Sequence, residues 1–303
     1  MATFNSRLLV PPGEEAEIPP YRSVWRSIII EYGVLSTVTV GLFALINFIS
    51  FTIPEAVRIP LNIGIVLLPV GLWVIFSLLP ERRVPLPRNR LIAVGIVSGL
   101  VAKAIGYPFV HEVLQVDEWL SLATAIQRII GFTFTVGIVQ ETLKYVVVRS
   151  LIWSDQIRIR DDSIAYADAS ALGYATILNL HFALTGSPSP DAVAASVLST
   201  LVIHLVATAI VSYGLVESRL TDTSPLALPI SLALAALIPG AAIPLHAGLT
   251  NASISLKSLA FTLPRPLFGI AFSLVVLIAG LLTVAFFINT AERQAREKRV
   301  VEE

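Results

Sequence analysis

The chain has 303 residues, of which 55% are hydrophobic and only 14% charged, with 21 Lys and Arg balanced by 21 Asp and Glu. An ordinary soluble domain carries about a quarter charged residues, so this composition, with a mean hydropathy of +0.80, excludes that class and marks a polytopic membrane protein. The absence of cysteine excludes disulfides, thiol catalysis, thiolate-held metals and iron–sulfur clusters, and the zero net charge gives no basis for nucleic-acid binding.

The polar N-terminal stretch carries Pro11, Pro12, Pro19 and Pro20 and has no short apolar core with a small-residue cleavage site. The first apolar span therefore reads as an uncleaved signal anchor. Eight apolar spans follow, at about 27–51, 57–79, 91–110, 120–148, 163–185, 191–216, 227–250 and 267–289, each near the ~20 residues a bilayer requires. Span four is longer than the bilayer needs, which predicts tilt or projection beyond it. Span seven holds Pro229, Pro239 and Pro244; each proline removes an amide donor, so a broken helix is predicted there, tolerated where it is buried or lines a watery cavity.

Orientation follows from the basic residues in the connections. Fifteen Lys and Arg fall on the side of the N-terminal tail, connections 2–3, 4–5 and 6–7 and the C-terminal tail, against three (Arg58, Lys257, Arg265) on the other. The expected architecture is an all-α transmembrane bundle of eight spans with both termini cytoplasmic. It comprises a cytoplasmic tail over 1–26, one transmembrane domain over 27–289, and a charged cytoplasmic tail over 290–303.

Ionisable residues at membrane depth are costly and point to function or to a built-in partner. Glu141 and Lys144 end the apolar run of span four, three residues apart and hence on one helix face. They are read either as a structural pair at the helix end or as members of a site. Span five opens with Asp161, Asp162 and Ser163, expected to cap free amides. It continues as Ala165 to Ala175, rich in small residues, which predicts close packing against span four or six. Asp168 and Asn179 share a face of that helix, with Asp168 near the boundary and open to a hydrated or head-group role. Span six places His204 near its middle with Thr200 and Thr208 a turn to either side, facing the bundle interior as a hydrogen-bonding residue, a ligand or a general base. His246 follows the prolines of span seven and precedes Asn251, and His181 lies in span five nearly opposite Asp168.

In order, these pieces resemble the PrsW family of intramembrane proteases, within the superfamily of CAAX prenyl-proteases and bacteriocin-immunity membrane proteins. The family pattern of Glu-Glu-x-x-Lys is matched by Gln140-Glu141-Thr142-Leu143-Lys144, and Gly-Phe-Ala-x-x-Glu-Asn by Gly173-Tyr174-Ala175-Thr176-Ile177-Leu178-Asn179. His204 and His246 stand for its two later histidines. The resemblance covers about 120–251, and departs where Gln140 and Leu178 replace acids; Gln cannot act as a base and Leu can neither ligate nor donate.

The resemblance implies a catalytic set of Glu141, His204, His246, Lys144 and Asn179, and a divalent metal such as zinc on Glu141, His204 and His246, since catalytic zinc commonly has three protein ligands. Counting along the spans sets Glu141 near the cytoplasmic edge and His246 near the outer edge, which a kinked span seven and a tilted span four would reconcile. It further implies a multi-pass protein of a prokaryotic inner membrane that meets membrane lipid and cleaves a small single-span membrane protein, with no nucleic acid partner. The alternative is a proteolytically inactive homologue that binds a transmembrane helix as a subunit or scaffold of a membrane complex. A transporter, suggested by the proline-rich span, ranks last for want of inverted repeats.

Overall fold

The computed structural model describes residues 23–49, 53–153, 156–220, 226–251 and 265–302. Arg7, Arg22 and most of the 251–266 connection, with Lys257, lie outside the described residues, as do the side chains of Asn251 and Arg265.

Nine helices occupy the described residues, without a strand among them. In chain order they are α1 (Val24–Asn47), α2 (Glu55–Glu81), α3 (Leu91–Val113), the short α4 (Val116–Leu120), α5 (125–152), α6 (Arg160–Leu184), α7 (Pro190–Leu220), α8 (Ala227–Asn251) and α9 (Arg265–Glu302). Three of these rods contain π turns: Val74–Leu78 in α2, Ala102–Gly106 and Phe109–Val113 in α3, and Thr133–Gly137 in α5. The long helices follow the predicted apolar spans to within a few residues, apart from α9, which runs on past the end of its apolar span. Six of them, α1, α2, α3, α7, α8 and α9, are long and apolar enough to cross a membrane. The other two are α5, where Glu141, Lys144 and Arg149 sit close together, and α6, which is rich in Ala and carries Asp161, Asp162 and Asp168.

The polar helices tolerate that composition because the bundle encloses their polar faces. In α7 78% of the apolar window is buried, against 22–33% in the peripheral helices, so α7 is the central post. Helix α6 makes its most extensive contacts with α7 and then with α3. Packing against span six was expected; packing against span three was not, and glycine is what permits it. A Cβ on Gly173 would run into the backbone carbonyl of Gly95, and one on Gly99 would stand 3.1 Å from the carbonyl of Gly173. Backbones that close are characteristic of small-residue crossings in membranes, and a Ser98–Ser170 hydroxyl hydrogen bond of 2.8 Å ties the same seam.

The break predicted in α8 does not occur: the helix runs through Pro239 and Pro244 without interruption. Its backbone is clamped against α5 instead. A Cβ on Gly137 would strike the Ala236 carbonyl, and one on Gly240 would strike Thr133. Each proline costs one amide donor, and a bundle tolerates that loss where neighbouring helices or side chains answer the freed carbonyl.

Asp162 does cap the start of α6, and both acids of that turn reach side chains on other elements. Asp162 Oδ2 accepts the amides of Arg158 (2.8 Å) and Ile159 (3.0 Å), while its Oδ1 accepts from Arg88 Nε at 2.7 Å. Asp161 accepts from Trp25 Nε1 on α1 at 3.3 Å. Arg88 also pairs with Glu81 at 2.9 Å, so the connection between α2 and α3 is pinned to the start of α6. Asp168, expected near head groups, is buried at 3% exposure. With Glu31 and Tyr32 it lines a cavity of about 10 Å³ between α1, α2 and α6, room for a single water.

Candidate active site

Helices α5 and α7 bring the motif residues together. The π turn Thr133–Gly137 ends immediately before Ile138–Ile152. A π turn adds one residue to a helical turn and so rotates the following face by about 100° relative to an unbroken α-helix. Beyond it, Glu141 and Lys144 are both fully buried and form an ion pair of 2.6 Å at i and i+3. Across α7, His204 and Thr208 lie one turn apart and are buried.

Lys144 Nζ donates to Thr208 Oγ1 at 2.7 Å and contacts His204 Nδ1 at 3.0 Å. Thr208 in turn donates to Glu141 Oε2 at 3.3 Å, and His204 Nδ1 stands 4.0 Å from Glu141 Oε1. The four side chains form one closed cluster. An ammonium has three donors and no acceptor, so Nδ1 of His204 must accept from it, leaving the imidazole neutral with its proton on Nε2. Tyr174 of α6 closes the third side. Its ring lies 5.2 Å from that of His204 and 5.6 Å from Lys144 Nζ, within cation–π reach.

The remaining predicted residues are distributed differently. Asn179 is buried, and its Oδ1 accepts from Ser196 Oγ of α7 at 3.1 Å, tying α6 to α7. His246 is half-buried on α8, and Leu178 is half-buried on α6. Gln140 is buried beside Glu141, and its side-chain carbonyl oxygen has no hydrogen-bond partner among the described residues. His181 belongs to a separate group at the C-terminal ends of α3 and α6. There it meets Tyr107 Oη at 2.5 Å, and Tyr107 stacks on His111 at 4.3 Å.

Thr208 and Tyr174 are the site members that sequence reasoning did not select. Both carried a signal: Thr208 sits one turn from His204, and Tyr174 occupies the aromatic position of the second motif.

A buried Glu–Lys–His centre in a multi-pass helical bundle defines a membrane protein with a polar reaction or recognition site. A model of the PrsW family of intramembrane metalloproteases matches residues 87–286, well over half of the chain and wider than the 120–251 stretch the motifs suggested. The chain belongs to that family and is an integral, multi-pass membrane protein. Neither a curated protein nor a solved structure matches it.

The family description implies a metal. Among the described residues no group of three or more His, Asp or Glu side chains is placed to hold one, so Glu141, His204 and His246 are not assembled into a ligand set in this arrangement. Glu141 and His204 do approach each other, but both are engaged by Lys144. Two occupied donors do not fit a catalytic zinc site with three protein ligands.

Proposed function

We propose that the chain hydrolyses a peptide bond of a small single-span membrane protein at the membrane, with Glu141 as the residue on which the reaction depends. The observation that supports this reading is the sealed Glu141–Lys144–His204–Thr208 cluster, three of whose members are motif residues of a protease family. In the reaction, Glu141 takes a proton from water as the water oxygen attacks the carbonyl carbon. His204, with its proton on Nε2, donates a hydrogen bond to the carbonyl oxygen as charge develops there. When the carbonyl re-forms, the peptide C–N bond breaks and Glu141 passes its proton to the leaving amine nitrogen, which regenerates the carboxylate. Lys144 keeps Glu141 ionised at rest and must loosen for Glu141 to act as a base. Asn179 holds α6 against α7.

A second reading, in which the protein binds a transmembrane helix as a subunit or scaffold without cutting it, draws on two observations. Leu178 and Gln140 stand where the family has acids, and the charge of Glu141 is already answered by Lys144. An apolar groove of about 510 Å³ between α2, α3 and α6, reaching Gly173 and Leu172, suits either reading. Reconstitution with tagged single-span membrane proteins separates the two. Fragments that appear with the wild type and vanish with Glu141→Gln and His204→Ala support hydrolysis, whereas cross-linking of an intact helix with no fragments supports binding alone.

A further inference from the structure

Three acceptors converge on one point between α5 and α7. Glu141 Oε1 lies 2.6 Å, Thr208 Oγ1 2.7 Å and His204 Nδ1 3.0 Å from the same atom, Lys144 Nζ. An ammonium offers three N–H donors; Thr208 and His204 are hydrogen-bonded to it and Glu141 is its ion-pair partner. The side chains of Lys144 and Glu141 are 0% exposed and that of His204 is 4% exposed, so bulk water does not share the coordination. A carboxylate, an imidazole nitrogen and a hydroxyl around a small cation are also the donor types that bind a divalent metal.

We propose that the Lys144 ammonium is the resident cation of this site, occupying the position between Glu141, His204 and Thr208 that a divalent metal would otherwise take. The charge of Glu141 is met by one tethered positive charge. A divalent ion added beside Lys144 would leave excess positive charge in a dry environment, which is strongly disfavoured. With Lys144 removed, the same acceptors surround an unneutralised carboxylate, and a metal becomes the group that completes them. The inference rests on the cluster geometry and the family assignment and does not depend on cleavage, so failure of the hydrolysis reading leaves its test intact.

The test is Co²⁺ binding to the full chain in detergent or nanodiscs, read by the visible spectrum of the bound ion and by thermal unfolding with and without Co²⁺. The wild type is expected to bind no Co²⁺ at this site. Lys144→Ala should bind one equivalent at least tenfold more tightly than wild type and gain thermal stability from it. Lys144→Ala combined with Glu141→Gln should lose both effects. Stoichiometric binding by the wild type that His204→Ala abolishes would overturn the proposal, and so would a folded Lys144→Ala protein that binds no better than wild type. Should Lys144→Ala not fold, ¹⁵N NMR of histidine-labelled wild type decides. The expected state of His204 is neutral, with Nε2 protonated and Nδ1 accepting; a protonated Nδ1 would overturn the proposal.

Discussion

Nε of Arg88 lies 2.7 Å from Oδ1 of Asp162, and both side chains are fully sealed from solvent. This ion pair joins the α2–α3 connection to the start of α6 across 74 positions of sequence, and Glu81 completes it at 2.9 Å from Arg88 Nη1. Removing one partner of a buried pair leaves an uncompensated charge and costs about 3–5 kcal/mol. Arg88→Met should therefore lower stability by that order in a detergent unfolding assay. Replacing Arg88 with Met and both acids with their amides should recover much of the loss. A single variant as stable as wild type would show that the network contributes nothing to the fold.

The α3–α6 crossing gives a second expectation. Because a Cβ on Gly173 meets the Gly95 carbonyl, Gly173→Leu forces the two backbones apart, and overpacking costs about 1–3 kcal/mol or more. Ser98→Ala, which removes only the 2.8 Å hydroxyl contact to Ser170, should cost less than ~1 kcal/mol. The measured order of the two variants in thermal unfolding checks the packing directly.

Thr208 both accepts from Lys144 and donates to Glu141. Thr208→Val keeps the shape and removes both functions, leaving buried charged groups under-satisfied at a cost of about 1–3 kcal/mol. Thr208→Ser keeps the hydroxyl and should retain most of the stability. Equal behaviour of Val and Ser would mean that the hydroxyl is not part of the cluster.

Glu31 and Asp168 line one small cavity. Two carboxylates so placed repel in a low-dielectric setting. Asp168→Asn should be neutral or stabilising, with an unchanged or higher Tm, and a clear loss of stability would show that the acid is needed there.

The helical spans and the principal site were legible because their signals are local. Length and hydropathy mark the apolar helices, and Glu141, Lys144 and His204 stand out as ionisable residues inside apolar runs. The rest depends on which helices meet. Glu31 sits inside the first apolar span and could have been flagged on the same grounds, but its cavity partner Asp168 lies on α6. The role of Arg88 was hidden because a basic residue in a short connection reads as a cytoplasmic charge, and only the fold brings Glu81 and Asp162 around it. The prolines of α8 predicted a break because a donor is lost at each. The close approach of Gly137 and Gly240 to their neighbours packs that stretch of the helix against α5, and the packing has no signature within α8 alone.

The central claim is that Glu141 is the working residue of the buried cluster, and mapping protein N-termini in membranes tests it most directly. Wild type and Glu141→Gln would be expressed at equal levels in a native host lacking its own copy, and new N-termini inside or beside transmembrane helices compared. The account predicts a defined set of such termini with the wild type and their loss, by at least a hundredfold, with Glu141→Gln, an approximately isosteric change that leaves α5 in place. The same termini at the same abundance in both strains would contradict it.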